Sequence, residues 1–151
     1  MDEHAGMIEP QASQAEAEGY GKRWLALSEV APGAQTVVMA TSEDFLKKNG
    51  PALRTFLEVY ALSAREMDKS NGEWTPDLMR IITAWTGLSP DIIRHMGGVP
   101  YVSPNPEVSP EAMAASQQLW LDNKVLTQKT DVNALIDRQP MTDALDVIGR
   151  Q

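Results

Sequence analysis

Residues 36–67, TVVMATSEDFLKKNGPALRTFLEVYALSAREM, contain the two patterns on which the predicted fold depends. The first six residues, TVVMAT, have the β-branched, apolar character of a strand. A short helical turn from Ser42 is expected to end at Asn49-Gly50, and Pro51 then begins a longer helix at a position where its missing N–H is not needed. Apolar residues recur at helical spacing in this longer helix and form one stripe: Leu53, Phe56, Leu57, Tyr60, Ala61, Ala64 and Met67.

The stripe requires an apolar surface to cover, and a sheet that contains residues 36–41 is the natural candidate. The remaining sequence offers only two doubtful strands, at 5–8 and 24–27. The prediction is therefore a helix-dominated α/β fold with about seven helices, one good strand and one or two short ones. A lone buried strand would leave its backbone N–H and C=O groups unpaired. Residues 36–41 are thus either the edge of a poor sheet or, as we prefer, part of an incomplete lobe whose other strands lie elsewhere.

Several helices are predicted from their start signals. Pro10 opens an alanine-rich helix over 11–18, which Gly19 ends. Three later helices begin with a capping hydroxyl, a first-turn proline and a first-turn acid: Thr75-Pro76-Asp77, Ser89-Pro90-Asp91 and Ser109-Pro110-Glu111. Two more are expected around 132–136 and 141–148. The regular apolar spacing predicts a shared core: Leu53, Phe56, Leu57, Tyr60, Ile82 and Trp85.

Composition excludes several classes of function. The chain has 151 residues, which suits one domain with a core, and its net charge of −8 argues against general binding to nucleic acids or anionic membranes. It has no cysteine, which excludes disulfides, zinc–thiolate sites and thiol nucleophiles. No apolar run approaches the roughly 20 residues of a membrane span. The acidic start, MDEHAGMIEP, lacks the features of a signal peptide, so we expect nothing in this sequence to export the chain.

The order of several motifs resembles a known family. Ile8-Glu9-Pro10, the alanine-rich helix, GYG at 19–21, the predicted strand, SEDFLKKNGPAL at 42–53 and a long helix ending in ARE occur in succession, and DNKVLTQKTDVNALID follows at 122–137. This order resembles the C-terminal half of the solute-binding proteins of ABC importers, of the nitrate, sulfonate and taurine type with a periplasmic-binding-protein type II fold. The resemblance implies that residues 1–30 are the end of a second lobe and the hinge approach. Residues 31–151 would be the C-terminal part of the first lobe, with the return crossing near 31–35.

The resemblance also implies a function. The chain would be the C-terminal portion of a periplasmic or extracytoplasmic binding protein for a sulfonate, nitrate, taurine or thiamine precursor. Its partners would be the small solute, an ABC permease, and either a missing N-terminal half or another copy of the chain. No catalysis and no cofactor are expected. One alternative is a stand-alone helical interaction domain, and another is an enzyme resembling thiamine-pyrimidine synthase, which needs histidine and cysteine positions that this sequence lacks.

Three residues are candidate solute ligands: Glu9, Gln11 and Ser13. A carboxylate before a helix N-terminus can receive a cationic group of a solute or can accept from the free N–H groups of that helix. Gln11 and Ser13 follow in the first turn and could donate to a solute. The two histidines, His4 and His95, lack the spacing of metal ligands, and no nucleophile elbow or phosphate loop is present.

Overall fold

The computed structural model describes residues 5–31 and 34–151, and all regular secondary structure in that part of the chain is helical. Six helices have six residues or more, and they are joined by one four-residue helix and one 3-10 helix. In chain order the elements are α1 (Gln11–Ala17), α2 (Leu27–Val30), α3 (Glu43–Asp68), α4 (Pro76–Thr86), α5 (Pro90–His95), α6 (Pro110–Asp122), the 3-10 helix Val132–Leu135 and α7 (Gln139–Ile148).

The predicted α/β fold is wrong, because none of the described residues belongs to a strand. Residues 36–41 form no regular structure, and Val37 is 78% exposed. The doubtful strand at 24–27 is also irregular, and α2 begins at its last residue. The physical reason is that β-branched residues favour a strand only when a neighbouring strand supplies hydrogen bonds and side-chain contacts. The described chain offers no such neighbour.

The start and stop signals of the helices are confirmed. The side chains of Thr75, Ser89 and Ser109 each accept a hydrogen bond from the backbone N–H three residues later. Gly87, in the left-handed conformation, ends α4. The predicted break at Asn49 is present as a kink, where non-helical backbone angles interrupt α3.

The described chain divides into two units by its internal contacts, which we call unit A and unit B. Unit A consists of the residues up to 26 together with 67–101, and unit B of 27–66 together with 102–151. The lobe boundary at residue 30, expected from the resemblance, stays a prediction. The return crossing expected at 31–35 lies partly outside the described residues. His4 lies outside them altogether.

The core of unit B lies between α3 and α7. Leu57 and Ala61 of α3 pack with three buried residues of α7, namely Met141, Ala144 and Leu145. Arg65, one turn beyond Ala61, is only 5% exposed and donates to the carbonyl oxygens of Ile148 and Gly149 at the end of α7. A cation at this position compensates the unpaired carbonyl groups and the negative end of the helix dipole.

The predicted common core is wrong at Phe56 and Trp85, whereas Leu53 and Tyr60 are partly buried against the core of unit B. Phe56 is 54% exposed and Trp85 is 87% exposed, whereas Leu57 is buried. The stripe on α3 spans more of the helix surface than α7 covers, so Phe56 lies outside the contact and stacks on Tyr60 with ring centroids 6.5 Å apart. Trp120 of α6 is likewise 51% exposed.

Unit A packs α5 against both α1 and α4. Ile93 of α5 is fully buried, as is Ser13 of α1, while α4 contains no buried residue. Two loops approach closely beside these helices, where the Val99 N–H donates to the Gly72 carbonyl oxygen at 2.8 Å. A Cβ on Gly98 would lie 2.5 Å from that oxygen, so only glycine fits there without a shift.

The chain exposes an unusually large surface for its mass. Its accessible area is 11287 Å², whereas a compact monomer of 16.6 kDa exposes about 7,600 Å². Even two separate compact bodies of the sizes of unit A and unit B would together expose only about 9,100 Å². The chain therefore exposes about 2,000 Å² more than two compact bodies of these sizes would expose. No helix among the described residues is long and apolar enough to cross a membrane.

Candidate functional site

The Glu9 carboxylate lies at the N-terminus of α1 and makes two kinds of contact. One oxygen, Oε2, accepts from the backbone N–H of Ser13 at 3.2 Å, and the other, Oε1, accepts from Nη2 of Arg23 at 2.6 Å. The first contact satisfies a free N–H group of the helix. The second pairs the carboxylate with a cation of the same chain. The helix-capping role considered for Glu9 is thus present, whereas the binding of a cationic solute group stays a prediction.

Arg23 reaches Glu9 because the chain reverses after α1. Gly19 adopts φ +78°, and the N–H groups of Tyr20 and Gly21 both donate to the Ala15 carbonyl oxygen. A left-handed residue followed by such hydrogen bonds is a common way to end a helix. A Cβ at Gly21 would lie 3.0 Å from the Ala15 Cβ. The glycine therefore permits the close return that brings Arg23 back along α1.

Glu16 completes an ion cluster with Glu9 and Arg23, which we call the Arg23 cluster. The backbone N–H of Arg23 donates to Oε1 of Glu16 at 2.8 Å, and Nη2 of the Arg23 guanidinium lies 3.5 Å from Oε2 of Glu16. The hydrogen bond from the Arg23 backbone N–H is the main cause that lowers the pKa of Glu16, and the charges of Arg23 and His95 add to it. His95 of α5 approaches with Nε2 at 3.4 Å from Glu16 Oε2.

The other two candidate ligands differ in position. Ser13 is buried, and its Oγ accepts from Nη2 of Arg23 at 3.2 Å, so it belongs to the Arg23 cluster. Gln11 lies on the exposed surface of the same first turn. The structure therefore brings Glu9 and Ser13 together through Arg23 and leaves the Gln11 side chain facing water.

The electrostatic balance of the Arg23 cluster is negative. Two carboxylates face one guanidinium, the one permanent cation among the described contacts of the cluster. An additional cation is therefore favoured over an additional anion near Glu9. The side chains are partly exposed, at 39% for Arg23 and 29% for Glu9, so water and a small solute can reach them.

Sequence reasoning missed Arg23, Glu16 and His95. A signal for Glu16 was present, because Glu9, Ser13 and Glu16 are spaced by four and three residues and so lie near one face of α1. Arg23 follows two glycines that permit a reversal. No sequence pattern indicates His95, which reaches the cluster only through the packing of α5 against α1.

Unit B contains a separate open depression of about 270 Å³. It is lined by Leu46, Gly50, Pro51, Arg54, Asp137, Gln139, Pro140 and Asp143. None of the candidate ligands lines it. Among the described residues, no group of three or more histidine, aspartate or glutamate side chains is arranged to hold a metal ion.

Comparison of the chain with protein-family models, with curated proteins and with solved structures gives no match. The resemblance to solute-binding proteins therefore rests on the order of motifs in the sequence.

Proposed function

We propose that this chain is one portion of a solute-binding component of an ABC importer, and that the solute carries an amine. Apart from the strand at 36–41, which is not formed, the order of motifs in the sequence supports the class of protein. The charge of the Arg23 cluster supports the class of solute, because a site with two carboxylates and one guanidinium attracts a cationic group. This negative balance is the observation that carries the proposal.

Binding would proceed by exchange of partners within the cluster. An incoming ammonium group takes the place of Arg23 at Oε1 of Glu9, while Arg23 keeps its contacts with Glu16. A zwitterion such as taurine makes two favourable contacts. Its ammonium group pairs with Glu9, and its sulfonate pairs with the part of the Arg23 guanidinium that no longer contacts Glu9. Nitrate and simple sulfonates gain no contact with the carboxylate and are less favoured.

The rest of the solute cleft is proposed to come from another polypeptide segment. The cluster is partly exposed, so polar contacts made by this chain alone compete with water and contribute little net free energy. We expect the isolated chain to bind taurine with a dissociation constant no tighter than about millimolar, since a well-formed ligand site buries most of its ligand.

The test is a titration of the chain with taurine, followed by nuclear magnetic resonance of the Ser13 amide and the Arg23 side chain. Taurine is expected to shift both signals at millimolar concentration, and ethanesulfonate, which lacks the amine, to shift them less. Glu9→Gln should weaken the response to taurine by about tenfold, which corresponds to about 1.4 kcal/mol. Glu18→Gln is the matched control, because Glu18 is exposed just beyond the other end of α1.

Two outcomes contradict the proposal. The first is equal binding of taurine and ethanesulfonate, which shows that the carboxylate does not select an amine. The second is a micromolar dissociation constant for the chain alone, measured by calorimetry, which shows that the site is complete here. Adding the polypeptide encoded immediately upstream should tighten taurine binding, and an unchanged constant would argue against a shared cleft.

A second candidate function, a helical interaction domain, is favoured by the exposed surface. About 2,000 Å² more is exposed than compact units of these sizes leave open. Exposed apolar side chains lie on several helices, among them Phe56, Val59 and Leu62 of α3 and Ile81 and Trp85 of α4. In this case binding to a protein partner, and not to taurine, would bury these side chains.

A further inference from the structure

We propose that Asn71 is a site of spontaneous deamidation, and that its isoaspartate product opens the contact between the turn 70–73 and the loop 97–99 within unit A. The chain contains two Asn-Gly dipeptides, Asn49-Gly50 and Asn71-Gly72. A glycine after an asparagine leaves the attacking backbone nitrogen unhindered, because glycine has no side chain. This inference is independent of the solute, since no residue of the Arg23 cluster takes part in the reaction.

Asn71 and Gly72 are the two central residues of a tight turn that follows α3. Their φ angles are +51° and +80°, and the Glu73 N–H donates to the Ser70 carbonyl oxygen at 3.0 Å. Two central residues with positive φ are characteristic of a type I′ turn, which favours asparagine and glycine at these positions. The Asn71 side chain is exposed in this turn.

The reacting groups of this turn are accessible. Within the described part of the chain, no hydrogen bond engages the side-chain amide of Asn71 or the backbone N–H of Gly72. Both residues are exposed, so water reaches the amide carbon and the nitrogen that attacks it. Reaction at Asn71 therefore requires no release of these two groups from other partners.

Asn49 is the internal comparison. It lies within α3, where its Nδ2 donates to the Phe45 carbonyl oxygen at 3.2 Å. To react, the Asn49 side chain must leave this bond, and the backbone must rotate between two helical segments. Such a local opening costs free energy, so we expect slower deamidation at Asn49 than at Asn71.

The reaction has two steps and consumes only water. The Gly72 nitrogen loses its proton and attacks Cγ of Asn71, which forms the N–Cγ bond of a succinimide ring and expels the side-chain nitrogen, with that proton, as ammonia. Water then adds to one of the two ring carbonyl groups. Cleavage of the new N–Cγ bond gives aspartate, whereas cleavage of the original peptide bond gives isoaspartate, whose main chain runs through Cβ. Either product adds one negative charge to a chain that already carries −8.

Isoaspartate at position 71 disturbs the neighbouring contact. It adds one atom to the main chain directly before Gly72, whose carbonyl oxygen accepts from the Val99 N–H at 2.8 Å. A Cβ on Gly98 would lie 2.5 Å from the same oxygen, so the two loops have no space to move closer together. Trp74 also donates from Nε1 to the Gly97 carbonyl oxygen at 2.7 Å. Lengthening the turn displaces these groups and exposes Val99, which is buried in the intact chain.

Ageing of the full chain at mildly alkaline pH, followed by peptide mapping with mass spectrometry, tests the site. Deamidation at Asn71 is expected to be at least about tenfold faster than at Asn49, which corresponds to an opening free energy of about 1.4 kcal/mol at Asn49. In denaturing urea the two rates should converge, because the helix and the turn are then both lost. Equal rates in the folded chain overturn the proposal, and so does a rate difference that persists in urea.

Thermal unfolding of the aged chain tests the effect on unit A. The unfolding midpoint is expected to fall as isoaspartate accumulates at position 71. Asn71→Gly is the matched variant, because it removes the reacting amide and suits the positive φ of this position. Its midpoint should stay unchanged on ageing.

Asn71→Asp separates the added charge from the lengthened main chain. It carries the charge of the products on an ordinary backbone, so its midpoint should stay close to that of the fresh, unmodified chain. An equal fall in Asn71→Asp would show that charge, and not the isoaspartate backbone, opens the contact. That result overturns the proposed effect, as does an unchanged midpoint in an aged chain that contains isoaspartate at position 71.

Discussion

At the scale of single residues, Arg65 joins three segments of unit B, and its hydrogen-bond partners there are carbonyl and amide oxygens. Its guanidinium donates to the carbonyl oxygens of Pro104, Ile148 and Gly149 and to Oδ1 of Asn105. Asn105 in turn accepts from the backbone N–H of Gln151 and donates to its carbonyl oxygen. One buried cation thus ties α3 to the end of α7 and to the chain around 104–105.

Replacing Arg65 should therefore destabilise unit B. Arg65→Met keeps much of the side-chain volume but leaves several carbonyl groups unpaired, and hydrogen bonds to charged groups each contribute about 1.5–3 kcal/mol. We expect the free energy of unfolding in urea to fall by about 2–4 kcal/mol. Arg54→Met on the same helix removes a pair between an exposed guanidinium and the half-buried Glu58, at 3.6 Å, and should change the free energy of unfolding by less than about 1 kcal/mol. Equal effects would show that the Arg65 contacts contribute no more than a surface ion pair.

Gly98 provides a second test at this scale. Gly98→Ala adds a Cβ that would lie 2.5 Å from the backbone oxygen of Gly72, so one of the two loops must move. The expected loss of stability is about 1–3 kcal/mol, as for other overpacked sites. Gly6→Ala is the control, because apart from its chain neighbours no atom lies within 4 Å of its added Cβ. That change should alter the free energy of unfolding by less than about 0.5 kcal/mol, and thermal unfolding would separate the two variants.

At the scale of elements, α3 shows which part of an apolar stripe is covered. Leu57→Ala removes a buried side chain between α3 and α7 and should lower the free energy of unfolding by about 2–5 kcal/mol. Phe56→Ala removes a half-exposed ring and should lower it by less than about 1.5 kcal/mol in the monomer. Denaturant unfolding at low protein concentration measures both, and a larger loss for Phe56→Ala would contradict this helix arrangement.

The first turn of α6 makes stability depend on pH. The pKa of Glu111 is lowered mainly by the hydrogen bond from its own backbone N–H, with the Ser109 hydroxyl and Arg138 adding to the effect. A carboxylate with a lowered folded-state pKa stabilises the fold above its unfolded pKa, here 4.5, and this contribution disappears as pH falls through the lower folded value. The unfolding midpoint should therefore decrease below about pH 4.5.

Glu111→Gln should flatten this acid dependence, because glutamine does not titrate. Glu73→Gln is the control, since it removes the same charge from an exposed position. Thermal unfolding between about pH 3 and pH 6 measures both variants against the unmodified chain. An unchanged acid slope in Glu111→Gln would show that the capping carboxylate does not contribute.

At the scale of the whole molecule, the large exposed area predicts a low sensitivity to denaturant. The denaturant slope of unfolding is proportional to the surface that unfolding exposes. With 11287 Å² already exposed, unfolding of the monomer should expose about three quarters of the surface that a compact domain of this mass would expose. The urea slope of the monomeric chain should be reduced in the same proportion, and a slope typical of a compact 151-residue domain would contradict the observed burial.

The sequence by itself determined the local features of this protein. The hydroxyl–proline–acid signals placed the starts of α4, α5 and α6, Gly87 ended α4, and Asn49 interrupted α3. These features depend on hydrogen bonds and backbone angles within a few residues, so the identities of neighbouring residues suffice to predict them. For the same reason the contact of Glu9 with the first turn of α1 could be considered from sequence.

The tertiary structure alone decided which apolar residues are covered and which charges meet. A stripe on α3 does not specify that α7 covers Leu57 and leaves Phe56 exposed. Residues 36–41 have the composition of a strand, but a strand requires hydrogen bonds from a second segment, and the described chain brings none to them. Arg23 and His95 reach Glu16 only after a glycine reversal and the packing of α5 on α1, because ion pairs form by distance in space and not by spacing in sequence.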